Sequence, residues 1–355
     1  MTTGGAGGEA EREPPNRPPP QGGLNLLLEK IIRIPNVRPD TPVTQVTVKQ
    51  CGNIVEIRYM RSVPVAVIEK VSAELYVDKR TGEVKEFRHS ENRAESKASV
   101  AQSLRKLRDL INANLTEPEK ALWVTLTYRE NMRDAKRLYE DFRRFWQRFR
   151  YYLNKFGHPS AEYIIAAEPQ ARGAWHLHCL FLFTEKAPFI PNSDMARIWG
   201  HGFTKTKSLK GIGNPGLYLT AYLGDMELSE SLRTGNARGR IAEASIANEQ
   251  GKPQRKAIIK GARLRLYPSG FNLYRSSRGV KRPEVLQTTE AEAQKIVQGA
   301  PLTYEKTIAV TDETGDVKNT INYRQYNKAL KEGGQFDAPQ KQFDAPQKAI
   351  PPENP

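Results

Sequence analysis

Glu168-Pro-Gln-Ala-Arg-Gly-Ala-Trp-His-Leu-His-Cys-Leu-Phe-Leu-Phe183 is the stretch on which the fold turns. Successive side chains of a strand point to opposite faces. His176 and His178 therefore share one face, and Leu177 and Cys179 share the other. Upstream, residues 161–168 also read as a strand, and Pro169 to Gly173 between the two runs carries turn residues. A hairpin centred on Arg172 sets Glu168 opposite His176, and directly opposed residues point to the same face. Two imidazoles and one carboxylate then converge on one patch of an antiparallel sheet.

That trio has the chemistry of a divalent-metal site. A carboxylate with two neutral imidazoles suits Mn²⁺, Mg²⁺ or Zn²⁺. No Cys-x-x-Cys pair accompanies it, which argues against a closed structural zinc site. Three protein ligands leave open positions, and a catalytic metal needs those. Further along, Gly211 to Gly216 reads as a turn and Leu217 to Asp225 as a short helix, with Pro215 near its start. Tyr218 and Tyr222 are four apart and so lie on one helical face. A phenol with a pKa of about 10 is a weak nucleophile until its electrophile is activated. A metal that polarises a phosphodiester supplies that activation.

The order of these motifs resembles the HUH endonucleases, specifically the rolling-circle replication initiators (Rep proteins) of plasmids, phages and integrative elements. Trp123-Val-Thr-Leu-Thr127 is similar to the first Rep motif, His176-Leu-His178 to the His-hydrophobic-His motif, and Tyr218-Leu-Thr-Ala-Tyr222 to the tyrosine motif. The resemblance covers about 122–223, and two tyrosines separated by three residues resemble the two-tyrosine initiators. It implies Mg²⁺ or Mn²⁺ held by Glu168, His176 and His178. It also implies attack by Tyr218 or Tyr222 on single-stranded origin DNA, leaving a 5′-phosphotyrosine and a free 3′-OH. The chain departs from the family at Ala221 and Asp225, where lysines are often found; Lys205 or Lys207 are substitutes for that charge. No G-x-x-x-x-G-K-[ST] loop is present, so a host helicase and a DNA polymerase are the expected partners. Two alternatives share the fold: a two-tyrosine transposase and a non-catalytic DNA-binding repressor.

Composition agrees with a polyanionic partner. The 355 residues carry 55 Lys and Arg against 40 Asp and Glu, a formal charge of +15. Neither terminus reads as a basic amphipathic helix or a lipidation signal, and no run approaches the roughly 18 apolar residues of a membrane span. With two cysteines, Cys51 and Cys179, no disulfide framework is indicated, and a bacterial cytoplasm fits. The segment Gly251 to Pro283 interleaves arginines and lysines with Tyr267, Phe271 and Tyr274, a pattern suited to single-stranded DNA. Arg263, Arg265, Arg275 and Arg278, with Lys205 and Lys207, are the candidate DNA contacts.

The expected organisation has five parts. Residues 1–23 and 331–355 are disordered tails, the second carrying the tandem Gln-Phe-Asp-Ala-Pro-Gln copies at 335–340 and 342–347. Residues 24–92 form a small β-rich module, with hairpins turning at Cys51-Gly-Asn53 and at Asp78 to Gly82. Residues 93–290 form the nuclease domain, and 291–330 a small extension with a hairpin turning at Asp312 to Gly315. Within the domain, helices are expected at 91–113, 134–156 and 193–199, and an edge strand at 202–207. The fold class is α+β, an antiparallel sheet with the His strand central and helices packed mainly on one face.

Overall fold

The hairpin forms in the predicted register: Glu168 pairs with His176, Ala166 with His178 and Ile164 with Leu180. Its turn is closed by hydrogen bonds from Gln170 N to Ala174 O and from Gly173 N to Gln170 O, each 2.7 Å. Gly173 takes a φ of 86° there, a region that costs glycine nothing. The structure is a computed structural model that describes residues 30–33, 45–63, 66–210, 212, 214–220, 223–235, 240–247, 253–312 and 314–330. Both tails expected at 1–23 and 331–355 lie outside these residues, as do Ala221 and Tyr222.

Strands β1 (Lys30–Arg33), β2 (Val46–Cys51), β3 (Ile54–Met60), β4 (Ile68–Lys70), β5 (Leu75–Asp78) and β6 (Val84–Glu86) lead to helix α1 (Lys97–Asn114). Then come β7 (Ala121–Thr127), α2 (Ala135–Lys155) and the hairpin of β8 (Ala161–Pro169) and β9 (Trp175–Phe183). They are followed by α3 (Asn192–Trp199), β10 (Thr204–Lys207), α4 (Pro215–Thr220), β11 (Met226–Glu227) and α5 (Leu228–Thr234). The chain continues through β12 (Ile241–Ala247), β13 (Pro253–Ile259), β14 (Tyr274–Ser276), β15 (Glu284–Thr288), α6 (Glu290–Ile296), β16 (Leu302–Thr311) and β17 (Val317–Asn327). All pairings are antiparallel. No described helix is long and apolar enough to cross a membrane.

The site sits on a five-stranded sheet of order β10-β7-β9-β8-β14, with β9 in the middle. Helix α2 starts where Asp134 accepts from Lys136 N and Arg137 N, at 2.7 and 3.2 Å, an N-cap that satisfies two otherwise orphaned donors. Its stripe of Leu138, Phe142, Phe145, Phe149 and Leu153 packs on Val124, Leu126, Leu177, Cys179 and Phe181. Each such burial contributes about 1.5–3 kcal/mol, which makes this the main core.

Helices cover both faces of the sheet, where the sequence suggested mainly one. Helix α1 lays Leu107, Leu110 and Ile111 on Trp123, Ile164, Ala166 and Leu180, together with Leu219 of α4. The reason lies in the strands themselves. Beyond His178 the histidine face turns apolar, and that surface needs a cover as much as the opposite one does. Helix α1 also begins at Lys97 rather than Glu91; Arg93–Glu95 is a separate 3-10 turn capped by Asn92.

A second sheet, of order β1-β16-β17-β3-β2-β15, has six strands. It takes strands from both segments expected as separate modules, 24–92 and 291–330, because β17 pairs with β3 along seven residues from Ile54 to Met60. Its β2–β3 hairpin meets α1 through charge. Lys49 Nζ lies 2.5 Å from Glu56 and 2.6 Å from Asp109, and Arg108 reaches both Glu56 and Asp109.

Candidate active site

Glu168, His176 and His178 each offer a ligand atom, and these atoms lie within 4.8 Å of one another. His178 Nε2 is 2.7 Å from Glu168 Oε2, and His176 Nε2 is 3.7 Å from the same oxygen. On its other side, His178 Nδ1 is 3.4 Å from Thr125 Oγ1. Its ring stacks on Trp123 at 5.5 Å with an interplanar angle of 4°. The imidazole is thus oriented from two directions, as ligating histidines commonly are.

His176 is the informative member. Its Nε2 is buried and has no hydrogen-bond partner. Buried polar atoms in native structures are nearly always satisfied, and an exception calls for an explanation. A cation shared with Glu168 and His178 is one that fits the donor set, since a carboxylate and two imidazoles suit Mg²⁺, Mn²⁺ or Zn²⁺.

The protonation states fit as well. Burial acts to raise the Glu168 pKa, but the Arg263 guanidinium and the two imidazoles outweigh it and hold the carboxylate well below its usual range. Burial lowers the His178 pKa against the pull of Glu168. A charged carboxylate beside a neutral imidazole is the form that binds metal.

Arg263 belongs to this site, which no local pattern in the sequence indicates. Its Nε lies 2.8 Å from Glu168 Oε1 while donating to the Asp225 carbonyl at 2.7 Å. Its two terminal nitrogens donate to Pro169 O at 2.9 Å and Glu230 Oε2 at 2.8 Å. With its side chain 12% exposed, the guanidinium holds these carboxylates rather than facing solvent. Asp225 gathers the same turn, accepting from Lys260 Nζ at 3.1 Å and Gly261 N at 2.9 Å. The segment just after the tyrosines is thereby tied to the metal-ligand carboxylate.

Tyr218 lies on α4, half-buried at the margin of the cluster around Leu219. Leu219 and Leu223 line a small apolar cavity together with His178, Trp123 and Ala166, so α4 runs over the histidine face. Asn112 of α1 fixes its start. Asn112 Oδ1 accepts from Gly216 N at 2.7 Å, and its Nδ2 donates to Asn214 Oδ1, which accepts from Leu217 N. The helix ends at Thr220, short of the Asp225 read from the sequence; Tyr222 lies outside the described residues.

The remaining candidate cations are spread. Lys205 and Lys207 are exposed on the edge strand β10, opposite Thr125 and Trp123, and so on the histidine face. Arg275 is opposite Ile165 on the α2 face, its guanidinium 3.4 Å from the centre of the Tyr139 ring. Arg265 and Arg278 are exposed, Arg278 in an open groove with Lys281, Ser277 and Trp146.

Residues 121–227 match a family model of replication-associated proteins, the ORF2 type. The span runs from β7 through β11 and contains Glu168, both histidines and both tyrosines. The match fits a rolling-circle Rep protein and agrees with the resemblance read from the motifs. No curated protein and no solved structure matches the chain.

Proposed function

We propose that this chain, similar over 121–227 to replication-associated proteins, initiates rolling-circle DNA replication by nicking and rejoining one strand at an origin. The observation that carries the reading is the buried, unpartnered His176 Nε2 facing Glu168 and His178. Glu168, His176 and His178 are the residues that would hold Mg²⁺ or Mn²⁺. Such an ion, when bound, draws charge from the non-bridging oxygens of a phosphodiester.

Around that point the chain's own groups have defined tasks. Thr125 and Trp123 orient His178, and Arg263 keeps Glu168 ionised. Tyr218 or Tyr222 supplies the phenolate oxygen that bonds to phosphorus as the bond to the 3′ oxygen breaks. The 3′ oxygen leaves and takes a proton, and the 5′-phosphotyrosine conserves the bond for a later reversal. Lys205, Lys207, Arg265, Arg275 and Arg278 contribute positive surface for the strand. Origin DNA is the substrate, with a host helicase and polymerase acting downstream in a bacterial cytoplasm.

The test is a covalent-adduct assay. Labelled single-stranded oligonucleotides tiling the DNA around the protein's own gene are incubated with it and Mn²⁺, then run on a denaturing gel. A labelled band at protein mass is expected, absent with chelator or in His178→Ala, and lost in Tyr218→Phe or Tyr222→Phe. Retarded DNA on a native gel with no adduct under any divalent metal would instead mark a DNA-binding repressor on the same fold.

A further inference from the structure

The β10–β7 ladder does not stop at Thr204. Thr127 N donates to Phe203 O at 3.1 Å and Arg129 N to His201 O at 2.9 Å, continuing the register in which Lys205 is opposite Thr125. Phe203 is therefore opposite Thr127. Thr127 is opposite His176, and His176 is opposite Glu168. Directly opposed residues share a face, so Phe203 is in the same cross-sheet row as the ligand trio, at the open edge of the sheet. Neighbouring strands lie about 4.8 Å apart, which puts its backbone roughly 10 Å from that of His176.

The approach is built in. A Cβ on Gly202 would fall 2.2 Å from the Thr127 carbonyl oxygen, so only glycine lets the chain run this close to β7 and deliver Phe203 there. Yet the ring so delivered is 62% exposed. Lys205, two residues on, continues along the same face of the edge strand.

An open aromatic ring beside a cation on the polar face of a chain with a charge of +15 fits a ligand with flat apolar groups and a negative backbone. Single-stranded DNA is that ligand; in a duplex the base faces are already stacked. We infer that Phe203 is a stacking platform for one unpaired base of the strand that crosses the β10 edge toward Glu168, His176 and His178. This rests on the nuclease reading above, and it assigns a binding role that none of the motif residues carries.

The experiment measures binding by fluorescence anisotropy with the full chain, chelator and the tiling single-stranded oligonucleotides, so that no cleavage intervenes. Phe203→Ala is expected to weaken the best oligonucleotide about tenfold, in the range for loss of one stacked base. Phe203→Trp retains affinity, and Phe156→Ala, an exposed ring at the end of α2, has no effect. An abasic scan locates the stacked base: one position costs the wild type about as much as Phe203→Ala does and costs the variant nothing further. Equal affinity of Phe203→Ala and wild type, or an abasic penalty at that position unchanged in the variant, would overturn the inference while leaving the nuclease reading intact. Absence of single-strand binding by the wild type would overturn both.

Discussion

His176 and Glu168 face each other across one pair of strands and differ in how they are satisfied. His176 Nε2 has no hydrogen-bond partner, so the fold gains little from it. His176→Ala should change unfolding free energy by no more than about 1 kcal/mol while weakening Mn²⁺ binding by at least an order of magnitude, as read by calorimetric titration. Glu168 is the reverse case, because Arg263 is held between it and Glu230. Removing that cation by Arg263→Ala leaves two largely buried carboxylates unpaired, which should cost about 3–5 kcal/mol in urea denaturation. A stability loss in His176→Ala as large as in Arg263→Ala would mean that the histidine is a structural residue.

At the level of elements, the seating of α4 on α1 decides where Tyr218 stands. Two features hold it: the Asn112 bonds to its first turn and the absence of a side chain at Gly216. A Cβ on Gly216 would sit 2.3 Å from the Arg108 carbonyl oxygen, and backbone cannot yield as a side-chain tip can. Gly216→Ala should therefore push α4 off α1, costing about 1–3 kcal/mol and abolishing adduct formation. Asn112→Ala leaves the buried Gly216 N–H without a partner, for about 1–3 kcal/mol. Hydrogen exchange localises both effects: protection should fall across 215–220 before it falls in β9. Uniform loss across the sheet would show instead that α4 has no separate seating.

For the molecule as a whole, the joint between the two large sheets is electrostatic. Burial acts to raise the Glu56 pKa, but Lys49 and Arg108 outweigh it and hold the carboxylate below its ordinary value. Burial likewise acts to lower the Lys49 pKa, and Glu56 with Asp109 more than reverses it. The carboxylate's folded pKa is depressed, so its stabilisation is full above the unfolded value of about 4.3 and is lost as pH falls through the folded one. The amine's folded pKa is raised, so its share persists through neutral pH and is lost only in strong alkali. Stability should thus be flat near neutrality and decline in acid. Lys49→Met should cost about 3 kcal/mol at pH 7, a gap that narrows toward pH 3 as the carboxylates protonate. A gap that stays constant with pH in urea denaturation would deny the joint its ionic character.

Much of the site could be read along the chain because it depends on near neighbours. The alternation of His176 and His178, the turn at 169–173 and the 3.6-residue stripe of α2 are local periodicities, and each fixes a face or a register without reference to distant residues. The hairpin that brings Glu168 to His176 is of this kind. Folding alone settled the rest. Nothing near Arg263 marks it as the partner of Glu168, because the contact closes only when the 260–263 turn meets the end of β8. The sharing of one sheet by strands from both ends of the chain, β3 and β17, likewise has no local signature, since each edge reads the same whichever partner it takes. The covering of the histidine face by α1 followed from apolar area at Trp123, Ile164 and Leu180 that the strand pattern shows but does not assign to a helix. Periodicity specifies which side of an element must be buried; the three-dimensional packing chooses what buries it.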